Sequence, residues 1–212
     1  MSQVMRPDEQ TAQPERRGRG RIKLFLIIMV FFLPQIIAYL LYYGGWRSHS
    51  LVNHGQLIQP ARPIGDVRLQ SLDGKTFPFS ALRGKWLMVY FGSSSCDSAC
   101  VQDLYKMRQV RIAQGGNATR LRRLFVVTAN RNLDHLHAIL QYYPGMRVVV
   151  GPPAAVASLA GQFAIDGNLP DRLNRIYIVD PLGNLMMSYP PDADPEGIRK
   201  DLVRLLQVSQ VG

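Results

Sequence analysis

The chain has 212 residues, 47% of them hydrophobic and 19% charged, with 25 Lys and Arg against 15 Asp and Glu. That hydrophobic fraction excludes disorder throughout, the presence of only one long apolar stretch excludes a polytopic transporter, and the length leaves room for one good core. Two cysteines are too few for a disulfide-stapled miniature or a four-cysteine zinc site. The formal charge of +10 invites a nucleic-acid reading, so the placement of the charges has to be followed along the chain.

Residues 1–23 form a polar, basic tail, expected to be disordered up to about Gly20. Leu24 to Tyr43 then run without a charge. As a helix they span about 30 Å, the thickness of a hydrocarbon core. Pro34 is a candidate kink, and Tyr39, Tyr42, Tyr43 and Trp46 mark an interfacial aromatic belt. Arg16, Arg17, Arg19, Arg21 and Lys23 precede the span, whereas Arg47 alone follows directly. Positive residues stay in the cytoplasm, so the N-terminus is expected inside and the rest of the chain outside. With no twin-arginine continuation and no small-residue cleavage site, the span reads as an uncleaved anchor. In a bacterium this makes a single-pass inner-membrane protein with a periplasmic domain; in a mitochondrion the domain faces the intermembrane space. Residues 44–63, ending in Pro60 and Pro63, read as a linker, and 64–212 as the folded domain.

Within that domain Val67–Leu72 and Thr76–Phe79 flank Asp73-Gly74 and form a hairpin. Trp86–Gly92 is a buried strand, followed by three serines and a helix over Ser98–Gln114 that Gly115-Gly116 ends. Leu124–Thr128 is the next strand, then a helix over Leu133–Tyr142, a strand at Val148–Val150 and a helix over Ala154–Phe163. Ile176–Val179 and Leu185–Tyr189 pair around Asp180–Asn184, and Pro195 opens a last helix with Ile198, Leu202, Leu205 and Leu206 on its buried face. Alternation of this kind implies an α/β domain, a mixed sheet with helices on both faces.

Cys96 and Cys100 stand where the first core strand gives way to the first long helix. A spacing of four is expected to put them on one helical face, near enough for a disulfide or for joint binding of one soft metal ion. The helix N-terminus lowers a thiol pKa and favours the reactive thiolate. A structural disulfide, or two thiols that simply pack, remains the alternative.

The strand WLMVYFG, the element CDSAC opening a helix, and IYIVDPLGNLMMSY before the last helix resemble the Sco/SenC/PrrC branch of thioredoxin-like proteins over about residues 60–208. The phrases NHGQLI, RGKW, LYKMRQVRIAQG and KDLVRLLQVS are similar, more closely still, to single-anchor membrane proteins of proteobacterial cytochrome c oxidase operons. The resemblance implies a thioredoxin-like fold and a role in oxidase assembly. Oxidase subunits or other assembly factors would be the partners, and Cys96 and Cys100 both the metal ligands for copper and the redox-active pair. A small-molecule substrate is not expected.

Three departures bear on that role. Asp97 and Val101 stand where the family usually has prolines, and its copper-binding histidine falls near Arg172, in a stretch from Gly161 to Pro181 without histidine. Two thiolates suit Cu(I), but the third ligand that would admit Cu(II) is missing. His135 and His137 fall on different faces of a helix and read as surface residues, His49 and His54 lie in the linker, and Met186 and Met187 offer a thioether or core packing. Thiol–disulfide exchange needs the pair alone. Cys96, nearer the dipole end, would be an exposed attacking thiolate and Cys100 would resolve. Pro170, several residues before its strand, is not assigned as the cis-proline of thioredoxins.

Six basic residues oppose three acidic ones up to Lys23, and nineteen oppose twelve beyond it. Lys106, Arg108, Arg111, Arg120, Arg122 and Arg123 therefore make the domain itself basic, either as a solvated face or as a surface for an acidic partner or anionic lipid. Outside a membrane, nucleic acid is not an expected partner. Walker, dinucleotide-binding, zincin and serine-elbow motifs are absent. Asn117-Ala118-Thr119 fits a glycosylation sequon that matters only in a eukaryotic secretory compartment.

Overall fold

The computed structural model of the protein describes residues 17–43 and 53–209, which fall into two units divided between Leu51 and Val52. The first sixteen residues of the basic tail, the linker up to Val52 with Trp46 and His49, and the last three residues lie outside the described part.

The first unit is the helix α1, Arg17–Tyr43. Its stretch Arg21–Leu40 has a mean hydropathy of 2.2 and exposes its side chains, long and apolar enough to cross a membrane. The helix starts within the basic tail, past Pro14, and runs through Gly18 and Gly20 into the apolar stretch. Pro34 lies inside it.

The second unit holds one eight-stranded mixed sheet. Its elements in chain order are β1 (Gln56–Pro63), β2 (Arg68–Ser71), β3 (Thr76–Pro78), β4 (Trp86–Ser93), α2 (Ser98–Ile112), β5 (Leu121–Ala129), α3 (Leu133–Leu140), β6 (Met146–Val150), α4 (Pro153–Gln162), the single turn α5 (Pro170–Leu173), β7 (Ile176–Val179), β8 (Asn184–Tyr189) and α6 (Pro195–Val208). The strand order is β1-β8-β7-β4-β5-β6-β2-β3. β4, β5 and β6 are parallel, and every other pairing is antiparallel.

One part of the expected linker is a strand. Gln56–Pro63 pairs with β8, Gln56 opposite Ser188 and Pro63 opposite Asn184, with an irregular register between. Its prolines had pointed to a loop, but an edge strand tolerates residues that cannot donate to a ladder.

Strand alternation divides the core in two. Trp86, Met88 and Tyr90 of β4, with Leu121, Phe125 and Val127 of β5, face α2, α3 and α6 through Leu104, Met107, Leu136, Ile198 and Leu202. Leu87, Val89, Phe91, Leu124 and Val126 face the other way, onto Val156, Leu159 and Phe163 at α4. Helices thus cover both faces, and the β4–α2 junction emerges at the carboxyl end of the parallel strands, where open α/β sheets bind ligands.

Candidate functional site

At the end of β4 the ladder to β5 shifts register between Gly92 and Ser93, and the chain leaves the sheet. Ser94, fully buried, donates its N–H to Ala129 O at 2.9 Å. Its Oγ accepts the backbone N–H groups of Arg131 at 2.7 Å and Asn132 at 2.9 Å, tying the loop after β4 to the loop after β5. Cys96 donates its N–H to Ser93 O at 3.1 Å and sits at φ +30°, in the left-handed region that a non-glycine residue rarely enters. Asp97 caps α2, its Oδ1 accepting the Cys100 N–H at 3.0 Å.

Cys96 and Cys100 are joined as a disulfide, with Cα atoms 5.1 Å apart. The pairing does not arise as expected from two residues on one helical face. Cys96 precedes the cap, and the turn at Cys96 folds its sulfur back onto the first turn of α2. Neither cysteine is exposed as expected for Cys96; each is 4% accessible.

The pair faces a cavity of about 380 Å³. Ser93, Ser95, Asp97, Thr128 and Arg131 line one part of it, and Asp171 and Asn174 close it from the α5 region. Asn174, at φ +45°, caps α5 and turns the chain toward β7. The segment near Arg172 thus reaches the cysteines, but with an acid and an amide in place of a histidine. Tyr90 forms part of the wall, its phenol pKa raised by burial and by the charges of Asp103 and Asp97.

Behind the site, Asp103 is buried on α2 one turn after Cys100, and its carboxylate meets Lys106 Nζ at 3.1 Å. Burial raises the Asp103 pKa, and the bond to Lys106 opposes that rise. The same Nζ also donates to Pro191 O.

The other expected donors lie elsewhere. His135 and His137 are exposed on α3. His54 is bound to Asp201 of α6, Nδ1 to Oδ1 at 3.2 Å. Met187 is buried beside the Tyr189 hydroxyl, and Met186 lines a separate cavity with Trp86, Leu182 and Leu205. Among the described residues no group of three or more His, Cys, Asp and Glu is placed to hold a metal ion. Pro170 opens α5, and the cis peptide bond among the described residues is Gln59–Pro60.

Much of the basic cluster is engaged inside the domain. Arg111 Nε donates to Leu121 O at 2.9 Å, and Arg120 donates to Leu206 O at 2.8 Å and Ser209 O at 2.7 Å. Arg123 is 2% accessible and donates to Pro144 O, with its pKa lowered to about 10 by burial and the neighbouring Arg111 and Arg108. These residues hold carbonyls at helix and strand ends, a role their sequence positions did not announce.

Sequence reasoning missed Ser94, Asp171, Asn174 and the Asp103–Lys106 pair. Only the last has a local signal, an acid and a base three apart on a helix. The Asp97 cap was missed as well, although an aspartate immediately before a helical run is a local signal.

Two family profiles match the chain. One, described as the transmembrane-like N-terminal domain, covers residues 14–45; the other, the transmembrane-like, thioredoxin-like C-terminal domain, covers residues 86–209. No curated protein matches the sequence. Among solved structures the domain is similar to Bradyrhizobium japonicum ScoI with copper bound, at 23% identity, covering 67% of this chain and 98% of that one with a TM-score of 0.55. It is also similar to yeast Sco1 with copper bound, at 20% identity over 72% and 96% of the two chains, with a TM-score of 0.60. BsSco, described by its disulfide switch as a member of the Sco family of cytochrome c oxidase assembly proteins, aligns at 17% identity over 73% and 99%, with a TM-score of 0.58. The fold is thus the thioredoxin-like fold of the Sco proteins, and the chain belongs to the family of transmembrane-like proteins with a thioredoxin-like C-terminal domain.

Proposed function

We propose that this chain is a single-pass inner-membrane protein whose thioredoxin-like domain faces the periplasm and serves cytochrome c oxidase assembly by thiol–disulfide exchange at Cys96 and Cys100. The observation that carries the reading is the bonded sulfur pair at the strand–helix junction, facing a cavity lined by oxygen and nitrogen donors and no further sulfur or imidazole among the described residues. In the reducing direction, the Cys96 thiolate attacks a disulfide of the partner, forming a mixed disulfide and expelling one partner thiolate. The Cys100 thiolate then attacks Cys96 Sγ and expels the second. The partner gains two electrons and, on protonation, two thiols, while the pair is left oxidised, the state present in this structure. The N-terminus of α2 stabilises each thiolate formed here, and the cap at Asp97 fixes that helix end. The α1 anchor, with its basic N-terminal flank, supports the orientation.

Copper(I) handling is the second reading, favoured by the solved neighbours that hold copper at this fold. As cargo, Cu(I) fits two thiolates. The remaining donors of the cavity, at Asp97, Asp171, Asn174 and the serines, are hard oxygens, so the set does not fit a Cu(II) site completed by histidine.

The deciding experiment is complementation of an oxidase-deficient deletion strain with Cys96→Ser/Cys100→Ser. Loss of oxidase activity with normal protein levels is expected; full restoration would leave a scaffold with a structural disulfide. Redox titration separates the thiol readings further. The exchange reading expects reversible reduction within the range of cellular thiols, and a pair that stays oxidised below about −300 mV would overturn it. If Cu(I) titration against a chelator gives equal binding to wild type and the double-serine variant, the copper reading falls.

A further inference from the structure

A second cavity lies away from the disulfide, at the sheet edge where the β2–β3 hairpin joins β6. β2 and β6 pair at two positions, Gln70 opposite Val150 and Ser71 opposite Val149. Beyond them the hairpin diverges, so the first half of β6 has no partner in β2. The wedge between them is a cleft of about 680 Å³ that α3 closes with Leu140 and His137. Its floor is apolar, built from Leu72, Phe77, Leu140, Met146 and Val148. Four of these remain half-buried, at the seam where the two halves of the core meet the sheet edge. The volume lies in the range of about 300–1,000 Å³ of small-ligand sites, with an apolar floor and polar groups around it.

The charged groups at its rim are unequal. Asp73 is held by Lys75 at 3.0 Å and by the Ser71 hydroxyl, so that pair carries no net charge. Arg147 is exposed, and no ion pair to it occurs among the described residues. Its charge adds to burial in lowering the pKa of Arg122 on the adjacent strand. An exposed guanidinium without an ion pair, on the wall of a cleft with an apolar floor, gains from an anion between the cleft and solvent.

We propose that this cleft binds an amphiphilic carboxylate, its hydrocarbon body on Phe77, Leu140 and Met146 and its carboxylate on Arg147. The site is independent of the thiol chemistry, about which it makes no assumption.

The test uses the full chain in phosphatidylcholine nanodiscs, with the ¹³C-labelled Met146 methyl group followed by NMR during titration with octanoate. A saturable shift is expected, and the neutral octanamide should bind on the order of tenfold more weakly, as expected for loss of a charge-assisted hydrogen bond. Arg147→Gln should bring octanoate down to the octanamide affinity and leave octanamide unchanged, which reports an intact cleft. Ala81→Trp, on the cleft wall, should remove both shifts. Cys96→Ser/Cys100→Ser should bind octanoate like wild type, so failure of the thiol reading does not touch this one. Equal binding of octanoate and octanamide to wild type, an unchanged preference in Arg147→Gln, or no saturable shift would each overturn the proposal.

Discussion

The two faces of the sheet are built from different chemistry. Under α4 the core is hydrocarbon and aromatic. Phe91, Phe163 and Tyr177 meet with ring centroids 4.9 to 6.0 Å apart, and the Tyr177 hydroxyl has its pKa pushed up to about 12 by burial. Under α2 and α6 the core takes in Asp103, Arg123 and Asp201 as well as the cysteine pair. A buried charge costs free energy unless it is paired and hydrogen-bonded. The face beneath the disulfide therefore accepts the desolvation of charged groups, whereas on the opposite face the Tyr177 hydroxyl is buried with no hydrogen-bond partner among the described residues.

The sharpest way to break this division is Phe163→Ala. The side chain is fully buried against two aromatic rings, and its removal should cost about 4 kcal/mol in cavity and lost transfer energy. Denaturant unfolding should register that loss, while the reduction potential of the cysteine pair stays at the wild-type value. A coupled change in potential would mean that the faces are not independent.

Asp201→Ala tests the polar face. Asp201, 1% accessible, accepts the backbone N–H groups of His54 at 2.7 Å and Gly55 at 2.9 Å and the Tyr189 hydroxyl at 3.1 Å. Removing the carboxylate orphans these donors at a cost of about 3 kcal/mol. Because they lie at the start of β1, hydrogen exchange at the Gly55 amide should accelerate before the rest of the sheet does. Uniform acceleration would show that Asp201 does not hold β1 locally.

Asp103→Asn should give a smaller effect, visible in its pH dependence. Folding raises the Asp103 pKa, so the folded state favours the protonated acid. Its contribution to stability is fully present below the ordinary carboxylate pKa and is lost as pH rises through the raised value. The difference in stability between wild type and Asp103→Asn should change across that window and level off on either side. A difference independent of pH would mean that Lys106 offsets the burial completely.

These contrasts also mark what the sequence could disclose. The hairpin, the parallel strands and the amphipathic last helix are local periodicities that reappear within a few residues of their expected bounds, and the apolar stretch expected from Leu24 lies within a helix that starts at Arg17. β1 escaped because an edge strand rich in proline carries the composition of a linker, and its identity depends on β8, more than a hundred residues away. At the site the cysteines lie close together in the chain and were legible. Ser94, Asp171 and Asn174 are not, because the cavity forms only when the loops after β4 and β5 meet the α5 turn. The arginines misled for a related reason. Charge is read from sequence as a surface property, whereas Arg120 and Arg123 are committed to carbonyls that folding brings to them.

The smallest effect falls on the β2–β3 hairpin, the element that opens the amphiphile cleft. The Asp73 carboxyl is lowered to about 2, first by its bond from the Ser71 hydroxyl and then by Lys75. A lowered pKa means that the ionised group favours the folded turn. This contribution is present above the ordinary carboxylate range and is lost as pH falls toward about 2. The group is exposed and screened by solvent, so global stability should barely change. The carboxyl carbon of Asp73, followed by NMR, should titrate below the ordinary aspartate range in wild type and move back toward it in Ser71→Ala. If Ser71→Ala leaves the midpoint in place, Lys75 and not the hydroxyl holds the charge, and the hairpin is pinned by an ion pair that salt would loosen.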